Sequence, residues 1–237
     1  MSYVVGFVAA VPEANKDAYR AHVQDAVAPF KRLGTGRMVE AWGDDVPRGE
    51  QTDFYRAVDA REDEAIVYAV YEYADRQTAD AADAAMANDL DMEAMMADMP
   101  FDATRMIFGG FEVLFDKRRS GETSYIDGSI LAVPSEKRDA YVETHSALSE
   151  AIFEEGAVRV TDAWGVNVPD GKVTDYRRAV KALPDETVVL SCVEWPDKAT
   201  RDAAWEKLYR DPRFQSAGGL FDEGRRVWGG FVPILDR

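Results

Sequence analysis

The chain writes one long phrase twice. Displaced by 122 positions, "YVVGFVAAVP" (Tyr3–Pro12) falls on "YIDGSILAVP" (Tyr125–Pro134). The register holds through "EAWGDDVP" against "DAWGVNVP" and "DEAIVYAVYEYAD" against "DETVVLSCVEWPD". A short deletion in the second copy then brings "RMIFGGFEVLFD" onto "RRVWGGFVPILD". Roughly a third of the aligned positions are identical, far more than unrelated segments share. Two long copies exclude a solenoid, which stacks many short units, and predict two domains of one fold. The boundaries fall at residues 1–117 and 123–237, with 118–122 as a linker inside the polar, glycine-containing stretch "DKRRSGETS".

Hydrophobic periodicity gives each copy its elements. Tyr3–Val11 is apolar and β-branched and ends at Pro12, so it reads as a strand. Glu13–Leu33 carries apolar residues at helical spacing and stops at Gly34; Pro29 should kink or shorten it, and Ala151 in the second copy should not. Arg37–Trp42, Asp53–Ala60, Ala65–Tyr73 and Met106–Phe115 read as strands, with "REDE" as a hairpin turn, and Asp75–Asn88 as an amphipathic helix. The order β-α-β-β-β-α-β is an α+β, ferredoxin-like unit with one added strand. Ala65–Tyr73 is apolar on both parities, which predicts burial on both faces. The two antiparallel sheets therefore pack face to face, and the chain builds its own dimer.

The motif "W-G-x-x-V-P-x-G-x-x-T-D-[FY]-x-R-A-V", followed by "E-W-P-D-K-A-T-R-D-A-A" and closed by "G-G-F-x-x-[IL]-[LF]-D", resembles the YbaA-like family, a domain of unknown function numbered 1428. The resemblance covers nearly the whole chain, once per half. It implies a dimeric α/β barrel, here formed within one chain. It supplies no catalytic residues, because the family has no settled activity; relatives in the dimeric α/β-barrel superfamily include cofactor-independent monooxygenases, isomerases, haem-handling proteins and ligand binders.

Charge and cysteine content narrow the function classes. The net charge of −16 repels nucleic-acid phosphates and anionic membranes, and the acidic residues are dispersed rather than blocked. No basic run exceeds Lys117-Arg118-Arg119. The single cysteine, Cys192, sits in the apolar run "TVVLSCVEW" and reads as a small buried side chain. The N-terminus lacks a charged segment before its apolar stretch, and that stretch is too short for a membrane span. The expectation is a cytoplasmic protein.

Agreement between the halves selects candidate site residues. On the strand assignment above, Arg56 and Arg178 share the inward parity with Phe54 and Tyr176, and a buried guanidinium needs an anion. Glu40/Asp162, Glu72/Glu194 and Asp53/Asp175 are the carboxylates within reach, and Trp42/Trp164 would wall the pocket. Such a constellation could clamp an anionic or enolate-like ligand and move a proton; it could equally be a structural network fixing sheet register. The histidines do not agree: His22 aligns with Thr144 and His145 with Val23, which leaves the second histidine as a site in one half only. Asp44 and Asp45 face Val166 and Asn167 in the other copy, so "GDDVPRGEQTD" reads as a turn rather than a metal loop. Met86, Met92, Met95, Met96 and Met99 read as adaptable packing rather than soft-metal ligands, and Gly109-Gly110 and Gly229-Gly230 as a bulge or a close backbone contact. No cofactor or metal is called for. The reading is a small-molecule-binding protein, self-contained as a pseudo-dimer or assembled further. It is either a cofactor-independent enzyme of the monooxygenase or isomerase type, or a non-catalytic assembly or stress-related protein with a structural polar network.

Overall fold

The computed structural model describes residues 2–86, 88, 89, 93, 95 and 97–237; Met92 and Met96 lie outside the described residues. The first repeat runs β1 (Tyr3–Pro12), α1 (Lys16–Arg32), β2 (Met38–Asp45), α2 (Phe54–Ala57), β3 (Glu64–Tyr73), α3 (Arg76–Met86) and β4 (Ile107–Arg118). The second runs β5 (Tyr125–Pro134), α4 (Arg138–Glu154), β6 (Arg159–Asn167), α5 (Tyr176–Ala179), β7 (Glu186–Trp195), α6 (Lys198–Leu208), α7 (Pro212–Ser216) and β8 (Val227–Asp236). Pro29 does not shorten its helix: α1 and α4 are both 17 residues long.

Among the described residues eight strands close into one antiparallel barrel in the order β1-β3-β2-β8-β5-β7-β6-β4. Each repeat contributes a four-stranded ferredoxin-like sheet. The sheets face each other as expected, and they are also stitched at both edges, β2 to β8 and β4 to β6. Closure leaves no strand edge unpaired. Strand alternation divides the side chains between two environments. On β3, Ile66 and Tyr68 point into the barrel, where they join Phe54, Phe111, Tyr176, Leu190 and Phe231 in one core drawn from both repeats. Val67, Ala69 and Tyr71 point outward beneath α1 and α3, so the two apolar parities of this strand serve two different cores.

Asp53–Ala60 is not a strand. Asp53 accepts the backbone N–H of Arg56 and caps the four-residue helix α2, and Asp175 caps α5 in the same way. The residues "DFYRAVDA" alternate as a strand would, but Phe54 and Ala57, three apart, both fall on the buried side of one helical turn. The unit is therefore β-α-β-β-α-β, with a plug where an extra strand was expected.

Candidate functional site

The plugs close one end of the barrel. Phe54 and Tyr176 are fully buried in its interior. The Thr52 hydroxyl donates to the carbonyl of Ala179 at 2.6 Å, and Thr174 donates to the carbonyl of Ala57 at the same distance, so each plug is tied to the other repeat. Arg56 and Arg178 do not enter the barrel: their side chains are 50% and 54% exposed. Arg56 lies 3.1 Å from its own capping Asp53 and donates to the carbonyl of Gly49; Arg178 repeats the arrangement with Asp175 and Gly171. The inward charge inferred from strand parity is overturned, because a helical turn carries the guanidinium to the surface.

The opposite mouth holds a second set of charges shared by the two repeats. Arg37 reaches Glu194 at 2.6 Å and Asp236 at 2.7 Å. Arg159 reaches Asp116 at 2.7 Å and also pairs with Glu72. Both arginines thus bind carboxylates of the opposite repeat at the seams, or bridge the two, and Thr123 adds a 2.6 Å hydrogen bond to Glu194. Glu72 and Glu194 belong here, far from Glu40 and Asp162 on the outer face, so the candidate residues do not form one pocket. The void beside Cys192, about 30 Å³, is water-sized. Burial pushes the Cys192 thiol up, away from the reactive thiolate.

Between the first sheet's outer face and its helices lies a cavity of about 290 Å³. Its walls are mostly apolar and aromatic, among them Phe7, Phe30, Phe101, Met86 and Met95. Glu40 of β2 lies in this lining, 3% exposed. It accepts a hydrogen bond from Tyr19 of α1 at 2.8 Å and another from Tyr71 of β3 at 2.5 Å. Desolvation pushes its carboxyl up to about 7, against the pull of the two tyrosine hydroxyls. Trp42 stands behind Tyr19 in an edge-on contact, 6.3 Å between ring centroids, and buttresses the ring rather than lining the cavity. His22 lies on the cavity wall, and burial lowers its pKa.

The second repeat has a cavity of about 320 Å³ in the equivalent place. Asp162 accepts from Tyr141 at 2.9 Å, as Glu40 does from Tyr19, and Trp164 packs against Tyr141. The walls have changed. Asp127 stands where the first repeat has Val5, held by Trp195, Trp205 and Arg201 at 2.6–2.8 Å. His145 stands where the first has Val23.

The remaining sequence candidates are structural. Asp44 accepts from Tyr125 at 2.9 Å and pairs with Lys198, while Asp45 meets Arg201 at 2.7 Å. These carboxylates, with Asp53, go to different partners and form no cation loop; Asp44 and Asp45 join the first repeat to α6 of the second. Gly110 and Gly230 sit against the hydroxyls of Tyr3 and Tyr125, where a Cβ would collide.

A family model described as "Protein of unknown function (DUF1428)" matches residues 2–103 and 124–223, once in each repeat. The chain belongs to the DUF1428 family. "Uncharacterized protein YbaA" of Escherichia coli (strain K12) and the same protein of Shigella flexneri are each 47% identical over 114 residues, which is 47% of this chain and 97% of the relative. Those DUF1428 relatives have the length of one repeat. Among solved structures, a Fusobacterium nucleatum protein described as "Putative monooxygenase" superposes with a TM-score of 0.61 at 11% identity, covering 100% of this chain and 94% of its own. An "anthrone oxidase-like protein" gives 0.62 at 12%, covering 100% and 92%. At such identities the likeness establishes the fold.

Several pairs in this DUF1428 chain went unrecognised in the sequence: Tyr19/Tyr141, Arg37/Arg159, and the buried bidentate ion pairs Arg105–Glu64 and Arg225–Glu186. The signal was present, since all are identical between the repeats. What hid them was distance along the chain, because each polar residue meets a partner on another element.

Proposed function

We propose that the first-repeat cavity binds a small, largely apolar aromatic molecule and moves a proton on it, as a cofactor-independent enzyme of the monooxygenase or isomerase type. The observation that carries this reading is Glu40, a carboxyl buried in an aromatic cavity, held by two tyrosine hydroxyls and pushed up to about 7. A group so placed is divided between acid and carboxylate near neutrality, where a general base works best. The carboxylate would take a proton from carbon next to a ligand carbonyl, leaving an enolate. Return of that proton at another carbon is an isomerisation. Addition of O2 to the enolate carbon, followed by protonation, gives a hydroperoxide that loses water to a ketone. The two fold neighbours, a "Putative monooxygenase" and an "anthrone oxidase-like protein", favour the oxygen branch. A purely structural role describes the barrel mouth and the plugs, whose charges pair with one another, but leaves Glu40 and its cavity without a use.

Anthrone is a suitable probe, followed by oxygen consumption and the absorbance of its oxidation product. Wild-type protein is expected to raise the rate about tenfold or more over buffer, and Glu40→Gln to return it to baseline while binding persists in a thermal-shift assay. Equal rates for the two proteins would falsify the proposal.

A further inference from the structure

We infer that the second-repeat cavity is a separate ligand site, with His145 as its proton acceptor and a phenol-class molecule as its ligand. The inference does not rest on the chemistry assigned to Glu40. His145 is a cavity-lining residue whose Nδ1 lies 3.3 Å from Oδ2 of Asp162. Its ring is stacked on Tyr141, with centroids 3.9 Å apart and planes 22° from parallel, and Phe221 stands 5.9 Å away on another side. A neutral imidazole facing a carboxylate through Nδ1 carries its proton there, which leaves the Nε2 lone pair to accept. Asp162 is 1% exposed, and its Oδ1 has no hydrogen-bond partner. A buried carboxylate oxygen without a partner is costly until a donor reaches it.

The walls select the ligand's body. Phe214, Phe221, Trp205 and Trp228 present rings to the cavity, and aromatic faces favour an aromatic guest. The other charges there are engaged. Asp127 is bound by three donors, and Arg226 lies 3.2 Å from Glu223. The step is a proton transfer alone: the ligand O–H bond breaks, Nε2 gains the proton, and a phenolate is left beside an imidazolium backed by Asp162. The first repeat has Val23 at this position.

4-Nitrophenol is the probe, because its phenolate is yellow and its phenol is not. At about pH 7, where an ordinary imidazole is mostly neutral, wild-type protein should bind it with a rise in phenolate absorbance, and Glu40→Gln should give the same rise. His145→Phe, which keeps a ring on Tyr141, should lower the affinity about tenfold or more and abolish the colour. Asp162→Asn should keep binding and lose most of the ionised fraction. In wild-type protein labelled with 15N-histidine, the His145 nitrogens should move from the neutral to the imidazolium pattern as the probe is added. The inference is overturned if no colour develops, if the colour survives His145→Phe, or if His145 stays neutral with the probe bound. Loss of the colour in Glu40→Gln overturns it too, by assigning the probe to the first cavity. None of these readouts uses anthrone turnover, so the two proposals fail separately.

Discussion

The two cavities share a skeleton and differ in their linings. Glu40 and Asp162 occupy matching strand positions, and each accepts a hydroxyl from a matching helix tyrosine. Around that common pair, Val5, Val23 and Ala79 of the first repeat are replaced by Asp127, His145 and Arg201 in the second. The first cavity is therefore a mostly apolar chamber around Glu40 with His22 on its wall, and the second sets His145 against the matching Asp162 and has Asp127 in its lining. The difference separates what the barrel requires from what it merely permits. Seam arginines, plug threonines and capping aspartates are the same in both halves because closure needs each of them twice. Cavity walls hold none of those groups and have drifted apart.

The seam should give the largest response. Arg37→Ala and Arg159→Ala each strip a partner from the buried Glu194 and from half-buried carboxylates around it at the barrel mouth, and each should destabilise the fold by about 3–5 kcal/mol in urea denaturation. Similar losses at the two positions are expected, and a strong inequality would break the symmetry argued here. Next is Glu40→Gln. The folded-state carboxyl is raised to about 7 from an ordinary value of 4.5. Stability is therefore unaffected by this group below about pH 4.5, falls as the pH climbs from there to about 7, where the unfolded chain is ionised and the folded one is not, and levels off above. The variant should recover about 2–4 kcal/mol at pH 8 and show a flatter stability–pH curve, read from melts at several pH values. Smaller still, Thr52→Val and Thr174→Val each remove one buried hydroxyl-to-carbonyl bond between the plugs, for about 1–2 kcal/mol apiece. Arg56→Ala should be nearly silent, under about 1 kcal/mol, because its ion pair with Asp53 is solvent-exposed on the arginine side. It should also leave binding in both cavities unchanged, as titrations with anthrone and 4-nitrophenol can establish.

Much of the architecture could be read in the sequence because it is periodic. The offset of 122 residues exposes the duplication, and the two-sided apolar pattern of Ala65–Tyr73 demands cover on both faces. The site was harder to read for a specific reason. Parity along a strand tells which side a residue takes, but only if the segment is a strand. "TDFYRAV" is a capped helical turn, and that single difference moved Arg56 from an interior clamp to the surface. Glu40 and Glu72, both identical or conservatively replaced between the halves, could not be told apart until the barrel put one beneath the helices and the other at the mouth. His145 has no twin, which leaves it as a site in one half only and makes its cavity different from the first.

The pairing of β2 with β8 and of β4 with β6 has a further consequence. A chain of one such repeat exposes two bare sheet edges, and sealing them by this geometry takes a second copy. In that arrangement a change to one cavity is written into both, and a substitution tolerated on one side must be tolerated on the other. Joining the copies end to end lifts that restriction: each half inherits the other as a fixed scaffold and is free to explore chemistry on its own.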